Sequence, residues 1–344
     1  MQPRVWVNGR YAVKRLTGVQ RYAIEIVNRL GSRCSIINTA ARDGIPGHRW
    51  EQASLPLRCR GGLLWSPCNT GPLAVSRQVV TIHDATFADT PECFGRAFAA
   101  WYGWLIPRLA RRVRRVVTVS DFSRQRIAQA TRLRVDQIDV VPNGVDARFV
   151  PAPAEEVAKM RQTFGLPGPY ILALGSLERR KNLATLLKAW RILSEQRSEL
   201  TLAIAGGSNL SIFSADGFDV DALPRVKRLG YVDDSALPAL YSGCETFVFP
   251  STYEGFGLPP LEAMRCGAPV VCSNTTALPE VVGDAALMVA PDDAEAIADA
   301  IRQITEDLPL RRRLQNAGFA RASSFTWDAS AERIWNILSR EAAA

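Results

Sequence analysis

The sequence predicts an α/β protein built from two doubly wound halves. Three observations carry this. Short runs rich in Val, Ile and Leu recur throughout the 344 residues, and unbroken apolar runs fit strands buried on both faces. Stretches of helical spacing separate them, which implies parallel sheets joined by right-handed crossovers. The runs form two sets of about six, divided at ARFVPAPAEE, where Pro151 and Pro153 interrupt the pattern. The expected domains are residues 1–150 and 151–327, followed by a terminal helix over 328–344 with Ile334, Ile337 and Leu338 on one face.

In the first half the strands are expected at RVWV, SIIN, LLWS, VVTIH, VVTVS and IDVVP. After the first comes a helix that Thr17 can cap, with Val19, Tyr22, Ile26 and Leu30 as its apolar face. Gly18 at its start permits close backbone approach. The fourth strand ends on His83, one of only two histidines, whereas His48 sits in a polar loop. Before the fifth strand, Phe98, Trp101 and Trp104 precede the basic run RLARRVRR, Arg108–Arg115. Two readings stand: an aromatic stripe facing the core under a solvated basic face, or a surface resting on anionic lipid.

In the second half the strands are expected at YILALG, LTLAIAG, RVKRLGY, TFVFP, PVVCS and ALMVA. Ligands of open parallel sheets bind beyond the carboxyl ends of the strands, so the residues just after each strand matter most. After YILALG stand Arg179, Arg180 and Lys181, then Asn182 as the expected cap of a helix with Leu183, Leu186, Leu187 and Trp190 inward. These cations suit phosphate oxygens. After TFVFP comes STYEGFG, then a helix that Pro259 or Pro260 can start and that places Glu262 in its first turn. Glu254 lies on the loop before it. Two carboxylates at one helix mouth suit a neutral polyol, whose hydroxyls donate to them.

Bulk properties narrow the partners. Apolar residues make up 47% and charged ones 22%, ordinary for a soluble globular protein. Residues 1–150 hold 23 Lys and Arg against 10 Asp and Glu, a charge of +13, while the rest carries −5. A basic half points to an anionic partner: nucleic acid, a membrane surface or a phosphorylated substrate. No stacking motif accompanies the charge, which argues against nucleic acid. The seven cysteines are scattered without metal-ligand spacing, as in a cytosolic protein with reduced thiols. No signal peptide is expected after Met1, and the longest uncharged apolar run, Ala97–Pro107, is too short to span a bilayer. The expected location is the cytoplasm, with any membrane contact peripheral at the inner face of the plasma membrane.

EGFGLPPLEAMRCGAPVV resembles the E-x7-E signature of retaining, family 4 glycosyltransferases of GT-B fold. TGVQRY, IHD, VSDFSR, VPNGVD, GSLERRKN, AGG and LGYV resemble that family's other blocks, in its order, over essentially the whole chain. The resemblance implies an enzyme with two Rossmann-like domains facing a cleft, the C-terminal helix crossing back to the first. It implies a hexosyltransferase that moves a sugar, GDP-mannose being the leading donor, onto a glycan or lipid-linked acceptor in bacterial surface polysaccharide synthesis. Glu262 would bind the ribose. Glu254 would touch the donor sugar, with Phe256, Gly257 and Leu258 offering backbone N–H groups. Arg179 and Lys181, or Arg180 in place of Arg179, would neutralise the diphosphate. Tyr231 and Val232 would flank the base, with Gly206 in the nucleotide pocket. Gly18 would lie by the phosphates or acceptor, and His83 near the reacting sugar. The family often has two adjacent glycines where this chain has Thr17-Gly18.

No cofactor or metal is expected. The only D-x-D, Asp219-Val-Asp221, reads as a polar surface loop. A nucleotide-sugar epimerase and a non-catalytic nucleotide-sugar-binding scaffold are the alternatives. The first would want more acid–base groups, and the intact Glu254, Glu262 and Lys181 argue against the second.

Overall fold

The structure, a computed structural model, describes residues 4–13, 17–175, 178–207 and 223–344. The chain divides into two compact units, Met1–Gly144 with Phe325–Ala344, and Val145–Ser324. Each is a six-stranded parallel sheet covered by helices, and all twelve expected strands are present. Asp219 and Asp221 lie outside the described residues.

The first sheet contains β1 (Val5–Asn8), β2 (Ser35–Ile37), β3 (Leu63–Ser66), β4 (Gln78–Thr81), β5 (Arg115–Thr118) and β6 (Ile138–Val140), in the order β2-β1-β3-β4-β5-β6. The second contains β7 (Tyr170–Leu174), β8 (Thr201–Ala205), β9 (Val226–Gly230), β10 (Thr246–Phe249), β11 (Val270–Ser273) and β12 (Leu287–Val289), in the order β12-β11-β10-β7-β8-β9. The unbroken apolar runs now have their cause. Every residue of β3, β4, β10 and β11 is buried, because helices cover both faces. The edge strand β9 differs, and its Lys227 and Arg228 are exposed, a charge pattern that discourages pairing with another chain.

In each sheet the strand order reverses once. The reversal lies between β1 and β3 in the first sheet and between β7 and β10 in the second. At such a point the loops leaving two neighbouring strands diverge and open a crevice. In the second unit those loops carry Lys181 and Glu254.

Cores follow the helical stripes. In the second unit Leu186, Leu187, Trp190 and Leu193 pack against Ile171, Leu202, Ile204, Ile297 and Ile301. In the first unit, Tyr22 and Ile26 of the helix Gly18–Leu30 are fully buried, as are Ile334 and Leu338 of the last helix, Trp327–Ala343. The rings of Tyr22 and Trp327 meet edge to face at 6.2 Å. Ion pairs Arg29–Asp328 (2.8 Å) and Arg33–Glu332 (2.6 Å) flank this contact.

The helix Arg96–Arg112 splits its aromatic stripe between core and surface. Tyr102, Leu105, Ile106 and Leu109 turn inward, and Phe98 and Trp104 are exposed. The basic run that follows is not one surface. Arg115 opens β5 and pairs with Asp139 at 2.6 Å, Arg114 donates to the carbonyl of Glu341, and Arg111 to that of Thr131. Arg108 stacks on the Trp104 ring at 4.7 Å.

Candidate active site

In the second unit the loops after β7 and β10 meet. The segment after β7 folds as a single 3-10 turn, Arg179–Lys181, which aims its last side chain back over the sheet. Lys181 Nζ stands 2.6 Å from Glu254 Oε1 and 4.8 Å from the centre of the Phe249 ring. Glu254 Oε1 also accepts from Ser251 Oγ (2.6 Å) and from the Arg180 guanidinium (3.2 Å). Burial alone would raise the Glu254 pKa, but Lys181 and Arg180 outweigh it and hold the carboxyl below its ordinary value. Lys181 moves down as well, because burial disfavours its ammonium more than Glu254 favours it. The result is a compact, charged cluster that keeps two cations at the reversal point.

The cation that reaches Glu254 beside Lys181 is Arg180. Arg179, the other arginine of the sequence motif, stands exposed on the same turn. Asn182 also departs from expectation. Its backbone is left-handed (φ 56°) and its side chain caps no helix N–H. Instead the amide donates to the carbonyls of Pro250 (3.0 Å) and Pro291 (2.5 Å), tying the loop after β7 to the end of β10.

The helix after β10 is Leu258–Arg265, with prolines in its first turn. It starts one residue earlier than Pro259, so Glu262 is its fifth residue and lies in the second turn. Glu262 is buried, and the Tyr241 hydroxyl donates to its Oε2 at 3.4 Å. Phe256 and Gly257 are buried and Leu258 is half-buried. Gly257 has φ 112°, and a Cβ there would stand 2.6 Å from Leu278 Cδ2, so only glycine makes this entry to the helix. Gly206, at the end of β8, has φ 145°, and a Cβ on it would lie 1.8 Å from the Gly175 carbonyl oxygen. Beyond β9, Tyr231 is exposed and Val232 buried.

In the first unit the loop after β3 grips His83. The Asn69 side chain accepts from the His83 backbone N–H (2.8 Å), and His83 Nε2 lies 2.9 Å from the Pro67 carbonyl. A carbonyl only accepts, so Nε2 carries the proton and Nδ1 is left as the acceptor. The Tyr22 ring meets the imidazole edge to face at 4.7 Å. Burial lowers the His83 pKa against the opposing pull of Pro67 and Asp84, so the ring is neutral at neutral pH. Thr17 precedes the helix at Gly18 but bonds Gln20 rather than a backbone N–H. A Cβ on Gly18 would meet nothing within 4 Å. Nothing in the first unit's own packing demands glycine there.

One polar network escaped sequence reading. Arg10, two residues past β1, is buried and pairs with the buried Glu51 at 3.0 Å. Its guanidinium also donates to Thr70 (3.2 Å), Asp43 (3.3 Å) and His48 Nδ1 (3.1 Å). His48 is thus part of a built cluster, not a bystander in a polar loop. The signal available was Arg10's position just after a strand, the criterion that singled out His83 and Lys181.

Among the described residues, no three His, Cys, Asp or Glu side chains gather to hold a metal ion, and no helix is long and apolar enough to cross a membrane.

Comparison with known proteins gives a consistent picture. The family "Glycosyl transferases group 1" matches residues 156–321, and "Glycosyltransferase Family 4" matches residues 63–149. The O-antigen chain mannosyltransferase B of Escherichia coli is 36% identical over 269 residues, 75% of this chain and 68% of the relative. The serotype-specific mannosyltransferase WbdA of E. coli is 32% identical over 231 residues, and the match spans 27% of that longer protein. Among solved structures, Anabaena HepE, in complex with UDP-glucose, superposes with a TM-score of 0.80 at 20% identity, covering 99% of this chain and all of HepE. WaaG, a glycosyltransferase involved in lipopolysaccharide biosynthesis, gives a TM-score of 0.75 at 16% identity, covering 97% and 99%. With two Rossmann-like sheets and paired carboxylates and cations at a reversal point, the chain belongs to the group 1, family 4 glycosyltransferases and is a glycosyltransferase of GT-B fold.

Proposed function

We propose that this enzyme transfers a mannosyl residue from GDP-mannose to a glycan or lipid-linked acceptor in surface polysaccharide synthesis, with retention at the anomeric carbon. The observation that carries the reading is the Lys181–Glu254–Arg180 cluster at the reversal between β7 and β10. The names of the E. coli mannosyltransferases support the sugar, and the HepE complex supports a nucleotide-sugar donor.

In this mechanism the second unit binds the donor and the first presents the acceptor. Glu262 accepts from the ribose hydroxyls. Lys181 and Arg180 hold the diphosphate, with Arg179 at its solvent side. Glu254 and the N–H groups of Phe256, Gly257 and Leu258 hold the sugar, while Gly206, Tyr231 and Val232 wall the base. As the bond from the anomeric carbon to the phosphate oxygen breaks, its electron pair stays on the diphosphate, where the fixed cations stabilise it. The acceptor hydroxyl adds on the same face, and its proton passes to the departing phosphate oxygen. His83, neutral and fixed by Pro67, orients the sugar by hydrogen bonding, and Gly18 leaves room for the acceptor or phosphates. No metal takes part, since side chains supply the charge. A peripheral contact of the first unit with anionic lipid at the inner face of the plasma membrane is supported by the +13 charge of residues 1–150 rather than by the run Arg108–Arg115 alone.

The test is a screen of GDP-mannose, GDP-fucose, UDP-glucose and UDP-galactose for hydrolysis and thermal shift, with and without excess chelator. GDP-mannose turned over best, unaffected by chelator, is the expected result. Preference for a UDP-sugar overturns the donor assignment, and rescue by Mn or Mg ions overturns the metal-free mechanism.

A further inference from the structure

The first sheet has its own reversal point, between β1 and β3. The loops leaving these strands carry Arg10 and Pro67–Thr70, and the crevice between such loops is where an open parallel sheet takes a ligand. Here the chain fills the crevice itself. Asn8, Arg10, Glu51, Pro67 and Thr70 are among the residues around a void of about 10 Å³, about the least that holds one water. Asn8 donates to Glu51 Oε1 at 2.8 Å, and Arg10 to Oε2 at 3.0 Å. Burial alone would raise the Glu51 pKa, but the groups around it, Arg10 among them, outweigh burial and keep it an anion. A buried ion pair adds little stability over apolar residues of the same volume. What this pair fixes is geometry.

The geometry is that of the loop after β3. Arg10 also donates to Thr70 Oγ1 (3.2 Å). A guanidinium has no acceptor, so the hydroxyl turns its own proton to Glu51 Oε1, 3.1 Å away. Gln52, beside Glu51, holds the loop further on. Its amide donates to the Gly71 carbonyl (2.9 Å) and accepts from the Leu73 N–H (3.0 Å). On its other side the same loop holds His83, through the Asn69 side chain and the Pro67 carbonyl. Asn69 itself is left-handed, φ 65°, a conformation that a residue other than glycine keeps where its surroundings impose it. The next residue is Thr70, the one the buried pair grips.

We propose that the Arg10–Glu51 pair is a positioning device for His83. Through Thr70 it holds the left-handed turn at Asn69, which keeps the Pro67 carbonyl on Nε2 and leaves Nδ1 unprotonated. Arg10, Glu51 and Thr70 are positioning residues, acting through His83 alone. The effect on the imidazole stands on this geometry, and its bearing on turnover rests on the glycosyl-transfer reading.

The experiment records nitrogen-15 spectra of the His83 imidazole, assigned by their loss in His83→Asn, and hydrolysis of GDP-mannose. It compares the full chain as wild type, Thr70→Val, Thr70→Ser and Thr131→Val. Thr131→Val is the control: it too deletes a buried hydroxyl of the first unit, the one that donates to the Ile127 carbonyl, but away from this loop. Thr70→Val should replace the single Nε2-protonated form by a mixture of tautomers and lower kcat about tenfold at unchanged KM. Thr70→Ser, which keeps the hydroxyl, should restore both, and Thr131→Val should alter neither. An unchanged His83 spectrum in Thr70→Val overturns the proposal. So does an equal change in Thr131→Val, which would mean a general loosening of the unit. A changed tautomer with unchanged kcat overturns the bearing on turnover. If Thr70→Val does not fold, Gln52→Ala, at a half-buried residue, loosens the same loop, and an unchanged spectrum there overturns the proposal equally. Failure of wild type to turn over any nucleotide sugar defeats the transfer reading instead, while the spectra still decide whether the pair positions His83.

Discussion

Lys181 and Glu254, 73 residues apart in sequence, meet at 2.6 Å across the reversal of the second sheet. Each shifts the other's titration. The ammonium has a pKa below its usual 10.5 because burial outweighs the attraction of Glu254.

Diphosphate binding should therefore fall on an alkaline limb below pH 10.5. A group with a depressed basic pKa loses its charge early as pH rises. Lys181→Arg should move this limb upward, because a guanidinium keeps its proton. Calorimetric GDP affinity between pH 7 and 11 checks this, and an identical limb in both proteins would assign it to another group.

Replacing Glu262 or Lys181 by Ala should weaken GDP binding by about 10- to 100-fold, the loss of one charge-assisted hydrogen bond worth on the order of 1.5–3 kcal/mol. Far-ultraviolet circular dichroism should not change. Unaltered affinity in both variants would remove these residues from the donor site.

Gly206→Ala should destabilise the second unit by at least about 2 kcal/mol, because its Cβ would collide with the Gly175 carbonyl and its φ is disfavoured for other residues. Gly207→Ala is the control. A Cβ there meets nothing within 4 Å, so its effect should stay within about 0.5 kcal/mol. Urea unfolding of both variants measures the difference, and equal midpoints would contradict the packing described.

His83 should remain neutral, with its proton on Nε2, from pH 6.5 upward. Its folded pKa is lowered by burial, so folding opposes protonation and stability should decline as pH falls below about 6.5, the unfolded value. Nitrogen-15 spectra of the imidazole across pH 5–8 read both tautomer and titration. A ring that titrates at or above 6.5 would mean it is not held as described.

The sequence alone determined the strands. Each is a short apolar run whose composition is forced by burial on both faces, and no distant residue is needed to recognise it. It also marked the post-strand loops, and so Lys181, Glu254 and His83, because ligand position in parallel sheets follows from chain direction. Local signals went astray where a distant group competed for a side chain. Asn182 carries the residue type of a helix cap, yet the carbonyls of Pro250 and Pro291 claim its amide. Arg179 and Arg180 are indistinguishable by type, and only the direction of a 3-10 turn sends Arg180 to Glu254. His48 looked isolated because its partners, Arg10 and Trp101, are 38 and 53 residues away. The tertiary structure decided these points because hydrogen bonds and ion pairs are short-ranged in space, while the sheet order that brings their partners together has no local trace in the chain.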